Sequence, residues 1–325
     1  MTFNKHILDI DPAAETERLV GLLRKTVRQE LRRYGAVVGV SGGVDSSTVL
    51  ALCARAFGPK RVTAVMMPEK DSDTESERLA RNLAAKFQVE ELLLENITPA
   101  LEGFGCYPRR DEAIARIFPE YKPEAGYKAK IVLPANVLQD KTLNVFSVAI
   151  VTPEGEEKSK RLPVKEFLQI VAASNFKQRS RMAMLYYHAE ARNYAVIGTS
   201  NKNEHNQGFL VKYGDSGVDI QLIAHLYKTQ VYQLAEYLNV PEEIRRRTPT
   251  SDTYSAHQTQ EEFFFRLPFE TMDLLWYAQE NQIPIPEVAQ VMGLTEEQVQ
   301  NAFDDFTRKH RTTQYIRTPP IVFEA

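Results

Sequence analysis

An apolar run, Ala36-Val37-Val38-Gly39-Val40, leads directly into Ser41-Gly42-Gly43-Val44-Asp45-Ser46, and a helical stretch from Thr48 to Phe57 follows. A strand, a glycine-rich turn and a helix start form a cradle for phosphate. Backbone N–H groups converge on the anion, and the helix N-terminus adds the positive end of its dipole. Two glycines let the main chain approach the phosphates without a Cβ in the way. The turn lacks the lysine of the longer G-x-x-x-x-G-K loop. Its form, SGG-x-DS, suits holding a pyrophosphate as it leaves, with Asp45 placed to ligate the Mg2+ that neutralises it. A lone Gly-Gly would be read as a tight strand-to-helix turn; six matched residues in this setting favour the cradle.

The surrounding chain alternates between β and α patterns. A helix is expected over about Ala14 to Arg33, with Leu19, Leu22, Leu23, Val27 and Leu31 on one apolar face. After strand 36–40 and the helix to Phe57 come strand Val62–Met67, a helix over Glu75–Phe87 and a strand at about Glu90–Leu94. Almost continuously apolar strands between helices predict an α/β fold: a doubly wound, mostly parallel sheet flanked by helices. In such sheets ligands sit beyond the carboxyl ends of the strands, where Ser41–Ser46 lies. From about 107 to 165 the chain turns proline-rich and charged, then β-like around a Pro153-Glu154-Gly155-Glu156 turn, which predicts an inserted helical segment and β-hairpin. The α/β pattern resumes with helix Phe176–Arg192 and strand Ala195–Gly198, so residues 1–325 are expected to form a single domain.

Charge and cysteine content narrow the function. With 40 Lys+Arg against 43 Asp+Glu the net charge is −3, which gives no electrostatic case for a nucleic-acid partner. The first 30 residues carry no signal-peptide block and no run approaches a membrane span, so no membrane partner is expected. Cys53 and Cys106 form neither a zinc site nor a disulfide framework and point to a reducing cytoplasm.

A second polar strand end follows AVIG: Thr199-Ser200-Asn201-Lys202-Asn203-Glu204. If the strands run parallel, it shares a sheet edge with the cradle, and Glu204 could give the Mg2+ of Asp45 a second carboxylate. Alone, Glu204 would read equally well as a solvated acid at a helix start. Further on, Tyr227, Val231, Leu234 and Leu238 mark a helix with Lys228 near its N-terminus. A cation there costs roughly 0.3–1 kcal/mol against the helix dipole unless it binds an anion shared with the helix end. That makes Lys228 a candidate phosphate ligand. Lys212, Asp215 and Asp219 lie in a glycine-containing turn, a place for functional groups or for ordinary loop charges.

The cradle, NFKQRSRM (Asn175–Met182), the segment Gly198–Glu204, KYGDSGVDI (Lys212–Ile220), LYKTQV (Leu226–Val231) and Pro249-Thr250 follow the order and approximate spacing of NAD synthetases, as does Lys309-His310-Arg311 with Pro319-Pro320 beyond it. The chain resembles that family, a branch of the ATP-pyrophosphatases, over most of 15–100 and 170–320. The resemblance implies ATP-dependent amidation. The nicotinate carboxylate of deamido-NAD+ attacks the α-phosphate of ATP, pyrophosphate leaves, and ammonia displaces AMP from the acyl-adenylate. It further implies that Gly39, Val40, Ser41, Gly42, Gly43, Val44, Asp45, Ser46, Thr199, Lys228 and Thr250 contact ATP, with Asp45 and Lys228 catalytic. Asp45 and Glu204 would hold Mg2+, and Arg179, Lys212, Asp219, His310 and Arg311 would hold deamido-NAD+.

A homodimer is also expected, from the N-terminal helix face and the resemblance. With no N-terminal glutaminase region, free ammonia or a separate glutaminase chain is the expected nitrogen source. The pattern departs from the family at Ser216 and Leu222, at Glu261-Glu262, and at Arg266 and Phe269, where Gly and Tyr are usual. These changes leave the ATP half intact and bear on the acceptor half. The alternatives are therefore amidation of a different carboxylate or a nucleotide-binding regulator without turnover. A tRNA thiolase is disfavoured by the lack of paired cysteines, and the sequence after the cradle matches NAD synthetases rather than GMP synthetases.

Overall fold

Side-chain alternation along β1 (Ala36–Gly39) sets the architecture. Ala36 and Val38 pack into one core with residues of α1 (Pro12–Lys25), α2 (Val44–Phe57), α3 (Thr74–Lys86) and α8 (Lys228–Tyr237). Val37 faces the other way, towards α4 (Thr98–Gly103), α5 (Cys106–Ala115) and α6 (Val164–Arg192). A strand apolar on both faces needs helices on both sides. The computed structural model, which describes residues 2–133, 137–138, 146–250 and 253–323, provides them.

The sheet has five parallel strands in the order β3–β2–β1–β7–β8, with β2 at Val62–Met66, β3 at Glu91–Leu94, β7 at Ala195–Gly198 and β8 at Ile220–Gln221. Ala36 pairs with Val62 on one side and Ala195 on the other. The chain thus builds outward from β1 to β3 and then returns to the opposite side of β1. The crevice at such a reversal is where open α/β sheets bind ligands. Here the two loops that flank it follow β1 and β7.

Several expected boundaries shift for identifiable reasons. Helix α1 begins after Asp11, whose carboxylate accepts from the N–H groups of Ala13 and Ala14 at 3.0 Å, with Pro12 in the first helical position. It ends at Lys25 and passes into a wider turn, Thr26–Glu30, short of the expected Arg33. Leu19, Leu23 and Val27 are buried in the chain's own core, whereas Leu22 and Leu31 are exposed. Most of the apolar face of this helix is therefore used internally.

The inserted segment carries the expected hairpin and one further strand. After α5, strands β4 (Lys128–Val132), β5 (Ser147–Val151) and β6 (Glu157–Arg161) form a three-stranded antiparallel sheet. Gly155, at φ 88°, closes the β5–β6 turn. Parts of the expected β-like stretch, 134–136 and 139–145, lie outside the described residues. Helix α6 starts at Val164 rather than Phe176 because its first turns bury Ile170 against Ile131, Val148 and Ile150 of this sheet.

Helices α7 (Lys202–Gln207) and α9 (Glu242–Arg245) complete the α/β part. Helices α10 (Phe269–Glu280), α11 (Ile285–Met292), α12 (Glu296–Thr312) and α13 (Gln314–Arg317) follow, and a core there enlists Phe3, Leu8 and Tyr227. Among the described residues no helix is long and apolar enough to cross a membrane.

Candidate active site

Helix α2 begins at Val44, directly on the glycine turn and four residues before the expected start. Gly43 is its N-cap in an extended conformation, and no side chain caps the first turn, so its N–H groups remain available to an anion. Gly42 has φ 74°, and a Cβ there would meet the Leu79 Cβ and the Ser76 carbonyl oxygen of α3, each at 3.0 Å. Gly42→Ala is therefore expected to cost about 1–2 kcal/mol from the left-handed backbone alone. Urea unfolding checks this, and a wild-type midpoint would refute it.

The loop after β7 closes on this turn. Asn201 caps α7 reciprocally: its Oδ1 accepts from the Glu204 N–H at 3.0 Å, and Glu204 Oε2 accepts from the Asn201 N–H at 3.2 Å. The Asn201 side-chain amide then donates to Asp45 Oδ1 at 3.1 Å. One asparagine so joins the two carboxylates expected to share a metal. Lys228 is the first residue of α8 and fully buried, and its ammonium is ion-paired with Asp45 Oδ2. The anion that offsets a lysine at this helix start is therefore the Asp45 carboxylate.

These neighbours set the titration of the site. Burial first, and then the Asp45 charge, push Glu204 up to about 8, against the opposing pull of Lys228. Burial pulls Lys228 down, but Asp45 and Glu204 outweigh it and hold the ammonium above its usual value. Because the folded value of Glu204 lies above the unfolded one, its stabilising contribution is full below about 4.5 and is lost as pH rises through 8. Urea unfolding without divalent cation should show wild type losing stability relative to Glu204→Gln between pH 5 and 9. A constant difference would contradict this.

A cavity of about 830 Å³ opens over the cradle. Of the expected ATP and metal residues, Gly39, Val40, Ser41, Gly43, Val44, Asp45, Ser46, Thr199, Glu204, Lys228 and Thr250 line it, with Gly42 turned against α3 instead. Arg179, Lys212, Asp219, His310 and Arg311 are not among its lining residues. The exposed Arg179 donates to the Lys212 carbonyl at 3.3 Å, and the Lys212 ammonium donates to the carbonyls of Tyr315 at 3.1 Å and Thr318 at 2.9 Å. Asp219 Oδ2 accepts from the Val196 N–H of β7 at 2.8 Å. His310 Nδ1 lies 3.0 Å from the Asn206 carbonyl, and Arg311 is exposed. Within the turn at 212–219 it is Asp215 that enters the cavity wall, where burial raises it to about 6.

Sequence reasoning missed the face of α6. Asn175, Gln178, Met182 and Leu185 line the cavity at helical spacing, and Arg179 lies off that stripe. Lys177, beside it, is 1% exposed and donates to Glu69 Oε1 and Asp71 Oδ2 at 2.9 Å each and to the Thr253 carbonyl at 3.0 Å. Tyr107 donates to Glu69 at 2.8 Å, and Arg110 pairs with Asp71 at 2.6 Å. The signal available was the Asn175–Met182 motif itself, read as a helix with a buried side.

A family model described as NAD synthase matches residues 15–116 and 135–320. The NH(3)-dependent NAD(+) synthetase of Mesorhizobium japonicum is 49% identical over 97% of this chain and 98% of its own length. That of Rhizobium meliloti is 47% identical over 98% and 94%. Among solved structures, the NMN synthetase of Francisella tularensis aligns with a TM-score of 0.64 at 21% identity over 98% of this chain and 100% of its own. An NH3-dependent NAD synthetase from Campylobacter jejuni aligns at 0.62 and 22% identity over 97% and 100%. At those identities the two structures speak for the fold alone.

Proposed function

The chain is a member of the NAD synthase family, and from that premise we propose that it makes NAD+ from deamido-NAD+, ATP and ammonia. The observation that carries this reading is the meeting of Asp45, Asn201, Glu204 and Lys228 at the uncapped start of α2. A triphosphate laid along the cavity would set its outer phosphates on the α2 N–H groups and beside the Lys228 ammonium. When the nicotinate carboxylate attacks the α-phosphorus, the bond to the β-phosphate oxygen breaks and the electron pair leaves with pyrophosphate. The preorganised N–H groups and Lys228 meet that charge where it develops.

Mg2+ fits the donors present. Among the described residues no cluster of three or more metal-ligating groups exists. Two linked carboxylates beside a phosphate cradle are nevertheless the hard-oxygen set this ion uses, with phosphate and water completing its shell. Asp45 and Glu204 would hold it, and it would supply charge neutralisation for the phosphates. Burial first, and repulsion from the Asp45 carboxylate second, raise the pKa of Glu204, as expected of two neighbouring carboxylates in a buried place.

In the second half-reaction the acyl-adenylate is already activated, so the protein's tasks are to exclude water and place ammonia. Ile131, Phe146, Phe167 and Phe263 give the cavity an apolar wall suited to the first task. Arg179, Lys212, Asp219, His310 and Arg311, none of which lines the cavity, remain the residues proposed to hold the dinucleotide. A homodimer belongs to the same proposal; light scattering at twice the chain mass would support it, and a monomer would reject it. A reducing cytoplasm suits Cys53 and Cys106, both buried free thiols.

The test is pyrophosphate release with Mg-ATP, deamido-NAD+ and ammonia together. Release that requires all three and yields NAD+ and AMP supports the proposal. Turnover only with another acid, or ATP binding without release, refutes it.

A further inference from the structure

Lys228, the buried cation at the cradle, is already committed to Asp45. Of the other cations lining the cavity, the exposed Lys70 lies over the Tyr107 ring at 5.4 Å, Lys177 is held between Glu69 and Asp71, and Arg181 is bonded to the Met67 carbonyl and to Gln178. A departing pyrophosphate carries the electron pair of the broken P–O bond, and amide dipoles answer it only with partial charges.

Arg247 is placed to supply a second full charge beside that of Lys228. It lies three residues before Thr250, lines the same cavity, and has a side chain 18% exposed. Its guanidinium donates to Ser76 Oγ at 3.2 and 3.3 Å. Ser76 is the residue whose backbone stands 3.0–3.3 Å from the Cβ position of Gly42, so a single residue separates the guanidinium from the glycine turn. Among the described residues its ionic partner there is Asp73, at 2.7 Å and 40% exposed. An ion pair at that exposure is weak and exchanges readily for a doubly charged oxyanion.

We propose that Arg247 is a further catalytic residue, which leaves Asp73 to take the terminal phosphates of the nucleotide and carries part of the charge of the departing pyrophosphate. A planar fork of N–H donors matches two phosphate oxygens at once, as a lysine cannot. The proposal rests on the ATP-dependent reading above, and its test is built to fail separately.

Binding of inorganic pyrophosphate with Mg2+ to the full chain, measured by calorimetry, needs no turnover. Arg247→Gln should weaken it at least about 10-fold and lower the rate of pyrophosphate release by on the order of 10²-fold. Arg247→Lys should recover part of both. Asp73 also caps α3, its Oδ1 accepting from the Glu75 N–H at 3.0 Å; Asp73→Asn keeps that oxygen and removes the tether, so it should bind pyrophosphate as tightly as wild type or more tightly. Wild-type pyrophosphate affinity in Arg247→Gln would overturn the proposal. So would an equal loss in Asp73→Asn, which would reduce Arg247 to a clip between two loops. If the wild type binds pyrophosphate through Arg247 yet amidates nothing, the inference stands and the functional reading falls.

Discussion

Asp45→Asn should lower pyrophosphate release by on the order of 10²–10³-fold or beyond detection, with the protein still folded. Asp45 sits where three contributions meet: the Lys228 ammonium on Oδ2, the Asn201 amide on Oδ1, and the Glu204 carboxylate held by that same asparagine. An asparagine there keeps an oxygen to accept from Lys228, and Glu204 remains nearby as a counter-charge. The variant loses one of the two anionic ligands for Mg2+ and the group that aims Lys228. Circular dichroism and a cooperative urea transition would establish that it folds. Near-normal release would remove Asp45 from the phosphate chemistry and the metal assignment with it.

The largest stability effect is expected on the other side of the cavity. Lys177→Met leaves Glu69, whose side chain is fully buried, with the Tyr107 hydroxyl but without its cation. It also takes one of two cations from Asp71 and a donor from the Thr253 carbonyl. Stripping one partner from a buried ionic cluster costs about 3–5 kcal/mol, because the remaining charge is neither solvated nor paired. Adding Glu69→Gln to Lys177→Met should restore part of the loss.

The pH dependence of that loss has a definite sign. Burial raises Asp71, but Lys177 and Arg110 overcome it and hold the carboxyl below its usual range. Its stabilising contribution is therefore present above about 3.8 and lost as pH falls through its depressed folded value. The gap between wild type and Lys177→Met should narrow on acidification below pH 4. Urea titrations at pH 7 and in acid measure both effects. A difference under about 1 kcal/mol at pH 7 would mean that the cluster is solvated and contributes little.

What could be read from the chain alone follows from where the physics is local. The cradle is one continuous strand, turn and helix start, so its residues declare it, and the polar end of β7 does so as well. Their meeting needed only parallel strands and a reversal of strand order, which the βα alternation already implied. The place of Lys228 at a helix start called for an anion, and the structure puts the Asp45 carboxylate there.

The acceptor side is different, since it depends on which way helical residues turn and on contacts between distant segments. Arg179 and Lys177 are two residues apart on α6, yet one is exposed and the other buried among partners 76 to 108 residues away. Asp215 was separable from Lys212 and Asp219 only once the loop's path was known. The inserted sheet captured the start of α6, which sequence periodicity assigned to a separate segment. At Arg266, where the family resemblance led to a glycine, the backbone has φ 64°, the left-handed conformation that glycine adopts at least cost.

The claim under all of this is that two loops at the strand-order reversal grip one triphosphate from opposite sides. A crystal structure of the wild-type chain with Mg2+ and α,β-methylene-ATP, whose α–β link cannot be cleaved, tests it most directly. The account predicts the outer phosphates on the first-turn N–H groups of α2, with Lys228 in contact and the metal held by Asp45 and Glu204. A nucleotide bound with its phosphates away from the Ser41–Ser46 turn, or a metal that touches neither carboxylate, would contradict it.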